Sequence, residues 1–414
     1  MGAIEASMGD PKIVQVSTNQ SGGAGIAALR LHRGLRMEGV HSRFLSGLGQ
    51  PDSRWEVDVL SKRYPRFWER ALGKVGVHRS QQILWEKETC RLGCQDIFTT
   101  SIESDAKLID HAWMQDADII NLHWVSGILS WKELFKRCRV PIVWTLHDMN
   151  AFMGIFHYEF DRQRGSHASQ VKDADVIREK IQLMQSDIKP VIVTPSRWLK
   201  DQSVASELFW GLRHEVIANG LDTAIFKPYP QRFARTVFGL NPDKKLLLVV
   251  AERLADQRKG FGLLLQALRL PELQRNWEIV AVGDGELPLE NLQYHRVGAI
   301  NDERLMGLLY SAVDLVVIAS REDNLPNVIL ESLCCGTPVV GTPAGGIPEP
   351  IVPARDGLVA KAVTGEALSA AIRQAIEMPF VREKIAAEAA ARYDLSVVSR
   401  RYRQLYEELL KVTL

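Results

Sequence analysis

The sequence predicts an α/β protein of two doubly wound halves facing a central cleft. Three observations predict it. Short Val- and Ile-rich runs, apolar on both faces, recur along the chain; each is followed by a small-residue turn and a stretch with helical spacing; and this rhythm breaks once, near Asn219–Pro230, before restarting. Runs of that kind fit buried parallel strands, and the amphipathic stretches between them fit crossover helices. The length of 414 residues suits two or three domains. Hydrophobic residues make up 46% and charged residues 24%, which excludes a disordered chain and a small disulfide scaffold. With 51 Lys+Arg against 50 Asp+Glu the net charge is +1, so no nucleic-acid partner is expected and any electrostatic preference must be local.

In order, strands are expected at 12–18, 42–46, 118–124, 141–147 and 190–196 in the first half. In the second they are expected at 244–252, 277–283, 295–300, 314–320 and 337–342. Gly220, Pro228 and Pro230 mark the break, giving domains at 1–220 and 221–385. The charged helical segment 386–414 is expected to pack back on the first domain. Ligands of such sheets bind beyond the carboxyl ends of the strands, so the cleft is the expected site.

Two stretches depart from the rhythm. Ser61 to Ser80 holds six Lys/Arg and one Glu, a local charge of +5, interleaved with Tyr64, Phe67 and Trp68. It reads either as a solvated helix with its aromatics packed inward, or as a surface for an anionic membrane or a phosphate-bearing acceptor. Residues 156–185 read as a polar loop containing Gly165-Ser166, followed by a helix. Of the five cysteines, Cys334 and Cys335 are adjacent, and Cys90 and Cys94 lack a second pair or a nearby His. Reduced thiols and no zinc site are therefore expected. Met1 to Pro11 lacks the basic start and apolar run of a secretory signal, and no apolar window approaches the ~20 residues needed to cross a bilayer. The expected location is cytoplasmic, at most peripheral at the inner face of a membrane.

Several motifs carry chemistry. After the first strand, Gly22, Gly23 and Gly25 open a helix, where backbone N–H groups can meet an anion. The spacing is not G-x-G-x-x-G, and the second strand ends without an acidic residue for a ribose diol, so nicotinamide and flavin are disfavoured and no cofactor is expected. Arg253 ends a strand and Arg258-Lys259-Gly260 precede the next helix, gathering cations that can neutralise a diphosphate leaving group. Farther on, Asp323-Asn324-Leu325-Pro326-Asn327 leads into a helix over 326–335, with Pro326 in its first turn and Gly336 at its C-terminal cap. Its positive end lies beside Asp323 and Asn324, and Glu331 sits a little over two turns along.

Weaker signals stay open or fall to structural roles. Asp116-Ala117-Asp118 and Asp173-Ala174-Asp175 look like metal-binding Asp-x-Asp motifs, but their positions assign them solvated or helix-terminal roles, so no metal is expected. His123 serves either beside the reacting groups or in packing. Trp124 and Trp144 read as core, with sugar stacking the alternative. Gly345 to Glu349 forms a turn, either near a nucleotide or purely structural.

Taken in order, the glycine turn at 22–25, Asn121-Leu122-His123-Trp124, Trp144 to Asp148, Thr194-Pro195-Ser196, Ala218-Asn219-Gly220, Arg253 with Lys259-Gly260, Gly283-Asp284-Gly285, the 323–331 motif and Gly336 to Val340 resemble the family-4 retaining glycosyltransferases. These are group 1 enzymes of the GT-B fold, two Rossmann-like domains, and the match is nearest the exopolysaccharide type. The resemblance implies transfer of a sugar from a nucleotide diphosphate sugar to a hydroxyl on a sugar or lipid-linked sugar, in polysaccharide or glycoconjugate assembly. Arg253 and Lys259 would contact the donor diphosphate, with Arg258 sharing the role because one extra residue separates the pair. Glu331 would hold the ribose and Asp323 the hydroxyls of the transferred sugar, with Asn324, Leu325, Pro326 and Asn327 nearby and Gly283 on the donor side. His147 would lie against the donor sugar, and Gly22 and Gly23 would border the phosphates and acceptor. Anomeric configuration would be retained, the leaving phosphate taking the acceptor proton, without metal or protein nucleophile. Asp323 stands where Glu is commoner, which leaves the sugar open. The alternatives are a non-catalytic nucleotide-sugar-binding protein, or a phosphorylase or hydrolase on the same fold.

Overall fold

The computed structural model describes residues 10–60, 80–94, 96–185, 188–253, 256–268, 277–284 and 294–413, with side chains at 251–253, 284 and 412–413 outside the description. The basic segment therefore falls almost wholly outside the described residues, leaving Ser80, whose hydroxyl caps the helix Gln81–Arg91. The chain divides into two compact units. One gathers Met1–Pro195, Lys200–Ile217 and Ser399–Leu414; the other gathers Ser196–Leu199 and Ala218–Val398.

The first unit is built on a parallel sheet with the order β3-β2-β1-β4-β5-β6-β7. Its strands are β1 (Ile13–Asn19), β2 (Ser42–Leu48), β3 (Val57–Val59), β4 (Ile119–Leu122), β5 (Ile142–Thr145), β6 (Val191–Thr194) and β7 (His214–Val216). Strands β4, β5 and β6 are buried at every residue, as expected for strands covered on both faces. The order runs outward from β1 in one direction and from β4 in the other, so the chain reverses between them. A crevice opens at the carboxyl ends of such a pair. The helix Gly22–Met37 follows β1 at that edge and buries Ala27, Ala28, Leu31 and Leu35 along one face.

The second unit repeats the plan with β8 (Lys245–Arg253), β9 (Trp277–Asp284), β10 (Tyr294–Gly298), β11 (Leu315–Ile318), β12 (Val339–Gly341) and β13 (Gly357–Val359). Their order is β10-β9-β8-β11-β12-β13, so this sheet reverses between β8 and β11. Alternate residues feed two separate cores. Leu246 and Leu248 join the cluster with Ile329, Leu330 and Leu333, whereas Leu247 and Val249 join the cluster with Phe261, Leu264, Leu368 and Ile372. That two-sided burial, worth about 1.5–3 kcal/mol for each large side chain, is why the strands read as continuous apolar runs.

All ten expected strands occur within a few residues of their expected positions. Strands β3, β7 and β13 were not expected: each has three residues and lies at a sheet edge, too short to show a period. The polar stretch after 156 also differs from the expected loop. A short helix, Glu159–Arg164, precedes Gly165, and Ser166 then caps the helix His167–Leu183. The last helix, Leu395–Thr413, crosses from the second unit to the first, where Tyr402, Leu405 and Tyr406 are buried. No described helix is long and apolar enough to cross a membrane.

Candidate active site

In the second unit the reversal point brings together the segments that follow β8 and β11. After β8 the chain makes a tight turn, Gln257–Lys259, begun by the Asp256 side chain accepting from the Arg258 N–H. Gly260 ends that turn at φ +72°, and a Cβ there would lie 1.8 Å from the Ala319 carbonyl oxygen just beyond β11. The Arg321 N–H donates to the Arg258 carbonyl at 2.7 Å, closing the two segments on each other. Lys259 Nζ consequently reaches Asp323 Oδ2 at 2.6 Å, with Arg258 Nη1 at 3.6 Å from Asp323 Oδ1. Burial alone would raise the Asp323 carboxyl, but the Lys259 ammonium and the Arg258 guanidinium outweigh it and hold the group below the usual carboxylate range.

The backbone of Asp323 and Asn324 is clamped from behind by the 345–349 turn. Gly345 has φ +59° and its Cβ position is 1.8 Å from the Asp323 carbonyl oxygen, while the Gly346 N–H donates to that oxygen at 3.0 Å. Gly345→Ala is expected to cost about 2–4 kcal/mol in urea unfolding, from left-handed strain plus a clash that only the motif backbone can relieve. Ser196 Oγ donates to Asn324 Oδ1 at 2.5 Å, and Asn219 Nδ2 to Asn327 Oδ1 at 2.8 Å. The helix itself is Asn327–Cys334, with Pro326 at the N-cap and Gly336 at φ +76° just past Cys335, one residue shorter at each end than expected. Leu325 is buried, and Glu331 lies buried on the helix, where one carboxylate oxygen accepts from the Tyr310 hydroxyl at 2.7 Å.

In the first unit, the corresponding edge holds the ends of β1, β4 and β5. The Thr18 N–H donates to the Trp124 carbonyl at 2.7 Å, joining the end of β1 to the segment after β4. His123 and His147 follow β4 and β5, and their rings meet with His123 Nδ1 3.1 Å from His147 Nε2. Burial pushes His147 down to about 4, opposed by Asp148, and pushes His123 well below its usual value, helped by His147. Burial likewise lowers His32 to about 4. An unfolded histidine takes its proton near pH 6.5, whereas these folded ones resist it, so the melting temperature is expected to fall as pH drops from about 6.5 toward 4. Calorimetry across that range checks it.

Asp148 is held by three donors: Trp124 Nε1 at 2.9 Å, His157 Nδ1 at 2.6 Å and the Asn150 N–H at 3.0 Å. Burial would raise its carboxyl, and the His157 imidazole with the other donors brings it below the ordinary range. Phe98, 59% exposed, stacks on Trp124 at 5.9 Å between ring centroids. Trp144 is core, as expected.

The structure thus brings Arg258, Lys259, Asp323, Asn324, Leu325, Pro326, Asn327 and Glu331 together in the second unit, and His147 with His123 in the first. Arg253 ends β8 and pairs with Asp284 in the backbone ladder, but its side chain lies outside the described residues. Gly283 lies one residue before the end of β9, at φ +136°, with Gly285 outside the description. Asp116 pairs with Lys12 and Arg43, in line with a solvated role. Asp173 is a correction: it is buried, and its Oδ1 accepts from the N–H groups of Ile155 and Phe156. A polar helix predicts a solvated carboxylate, but the 155–156 backbone packs over it. Tyr310, Gln15, Tyr406 and Lys180 were not singled out in the sequence, because each reaches its partners only across the fold. Among the described residues, no group of three or more His, Cys, Asp or Glu is gathered to hold a metal.

Residues 244–378, which contain the Lys259–Asp323 pair and Glu331, match the family model for glycosyl transferases group 1. They form a group 1 glycosyltransferase domain. A relative of the chain that carries this glycosyltransferase domain is the D-inositol 3-phosphate glycosyltransferase of Mycobacterium marinum, 29% identical over 263 residues, 60% of this chain and 52% of that protein. The match thus spans about half of that relative's length. Among solved structures, a sucrose-phosphate synthase from Thermosynechococcus elongatus superposes with a TM-score of 0.69, at 18% identity and 97% and 100% coverage of the two chains. The Anabaena protein HepE, in complex with UDP and glucose, gives 0.66 at 17% identity, covering 96% of this chain and all of that one. The glycosyltransferase domain and the doubly wound unit that precedes it have the GT-B fold.

Proposed function

We propose that the chain is a retaining glycosyltransferase that moves a sugar from a nucleotide diphosphate sugar to a hydroxyl acceptor in polysaccharide or glycoconjugate assembly. The observation that carries this reading is the cation pair, Arg258 and Lys259, closed on Asp323 at the crevice between β8 and β11, with Glu331 on the helix that starts there. Lys259 Nζ and Asp323 Oδ2 pair at 2.6 Å. A diphosphate draws Lys259 and Arg258, together with Arg253, onto its oxygens, and this releases the Asp323 carboxylate to accept from hydroxyls of the transferred sugar. The cations then offset the charge that develops as the sugar–phosphate bond breaks, so the residues themselves supply what a metal supplies elsewhere. The leaving phosphate oxygen takes the acceptor proton, and the acceptor oxygen bonds the anomeric carbon on the face the phosphate left.

Glu331 accepts from the ribose hydroxyls, Asn324 to Asn327 present backbone N–H groups to donor oxygens, with Gly283 beside them, and Gly22 and Gly23 let the phosphates and acceptor approach the backbone. His147, neutral at working pH, lies against the donor sugar. No cofactor besides the donor enters this scheme.

A thermal-shift screen against UDP, GDP and ADP, followed by turnover of the matching sugars, tests the reading. One nucleotide is expected to raise the melting temperature and its sugar to be transferred with retention. Inverted product would remove the retaining assignment, and binding without turnover would favour a nucleotide-sugar-binding protein. Glu331→Gln replaces a charged acceptor by a neutral amide and is expected to lower kcat/KM for the donor by about 10–100-fold. Near-normal donor kinetics would remove the ribose assignment.

A further inference from the structure

Behind His147 lies a buried polar chain that none of the roles above uses. Gln15 on β1, Asn121 on β4, Thr145 on β5, His123, and Tyr402 and Tyr406 on the last helix are all buried. Their hydrogen bonds can be followed in one direction. Thr145 Oγ1 donates to Asn121 Oδ1 at 2.9 Å and lies 3.2 Å from the Tyr402 hydroxyl. That turns the Asn121 amide nitrogen toward Tyr406, whose hydroxyl oxygen accepts it at 2.8 Å. Gln15 Nε2 donates to the same oxygen at 3.1 Å, so Gln15 Oε1 faces the other way, 2.9 Å from His123 Nε2.

A carbonyl oxygen can only accept. His123 Nε2 therefore carries the proton, and a neutral His123 offers a lone pair at Nδ1. The atom 3.1 Å from that lone pair is His147 Nε2, which must be the donor. We propose that this relay holds His147 in a single tautomer, protonated at Nε2 and accepting at Nδ1, and that Gln15, His123 and Tyr406 are positioning residues for it. This deepens, and rests on, the reading of His147 as the ring beside the transferred sugar: a ring so fixed carries a lone pair at Nδ1 and cannot donate there. It also assigns a task to the last helix, which supplies the hydroxyl that orients both amides.

The test is a long-range 1H–15N spectrum of the full chain labelled at histidine nitrogen, at pH 7, with the two rings assigned through H147Q and H123Q. His147 is expected to show Nε2 protonated and Nδ1 bare. A ring protonated at Nδ1, or an even mixture, overturns the proposal. Y406F removes the oxygen to which both amides donate, so its His147 is expected to become a mixture, with kcat down by about tenfold or more and donor KM within about twofold. An unchanged tautomer signature in Y406F also overturns it. Should Y406F fail to fold, the spectrum of the unaltered chain decides alone. A chain that transfers nothing from any donor yet shows the Nε2–H signature supports the relay while removing the glycosyltransferase reading.

Discussion

Replacing His147 with Ala is expected to lower kcat by about 10²–10³-fold while leaving nucleotide affinity within about threefold. The reasoning starts from its surroundings. A half-buried ring, kept neutral by desolvation and paired with His123, is already oriented before substrate arrives, and preorganised polar groups of this kind typically contribute 10²–10³ in kcat when they act on the reacting centre. The proposed contacts to the nucleotide come from the second unit and from the Gly22–Gly23 backbone, not from His147. Steady-state kinetics and isothermal calorimetry with the free nucleotide separate the two quantities. Equal losses in turnover and nucleotide affinity would remove His147 from the reacting centre. Because burial puts its own titration near pH 4, kcat is expected to be insensitive to this group between about pH 5.5 and 8.

Lys180→Met is expected to cost about 3–5 kcal/mol of folding stability, measured by urea denaturation near pH 7. Lys180 Nζ donates to the carbonyl oxygens of Asn150, Met153 and Gly154, at 2.6, 2.5 and 3.1 Å, and lies 4.7 Å from the centroid of the Trp131 ring. Two turns earlier on the same helix, Asp173 accepts from the N–H groups of Ile155 and Phe156. One helix therefore holds both polarities of the backbone that runs from Asp148 to His157. Methionine fills much of the volume but leaves three carbonyls, two of them buried, without their donor and Asp173 without its nearby cation. The pH dependence has a definite sign. Burial lowers Lys180 to about 7, opposed by Asp173 and Asp148, whereas an unfolded lysine keeps its proton to about 10.5. Between those values the unfolded chain binds the extra proton, so stability should rise with pH across that window. The Met variant should lack that rise; parallel pH curves for the two proteins would refute the assignment.

Much of the second unit was legible because its chemistry is local in sequence. Asp323, Pro326 and Glu331 lie within one loop and the helix it starts, and helix geometry alone places them relative to one another. Arg258, Lys259 and Gly260 likewise fall in one turn. The Lys259–Asp323 contact was not legible, since 64 residues separate them. It depends on β8 and β11 lying side by side, a consequence of strand order that no local pattern encodes. The same holds for Tyr310 on Glu331 and for the pairing of His123 with His147, which the sequence left open between packing and a place beside the reacting groups.

Asp173 shows the reverse error. An acidic residue in a polar helix suggests a solvated face, and the local pattern offers no sign that the 150–156 backbone will turn its N–H groups onto it. Strands β3, β7 and β13 escaped for a third reason, since three residues at a sheet edge bury too little to leave an apolar run.

The sequence alone determined two doubly wound halves and the residue types at the ends of their strands, because alternation, helical spacing and turn chemistry act over a few neighbouring residues. Tertiary structure alone decided which of those strand ends meet, which charges are buried, and which hydroxyl orients which amide. Such pairings are set by the order of strands in a sheet and by the docking of a distant helix, and both arise only once the apolar faces have packed.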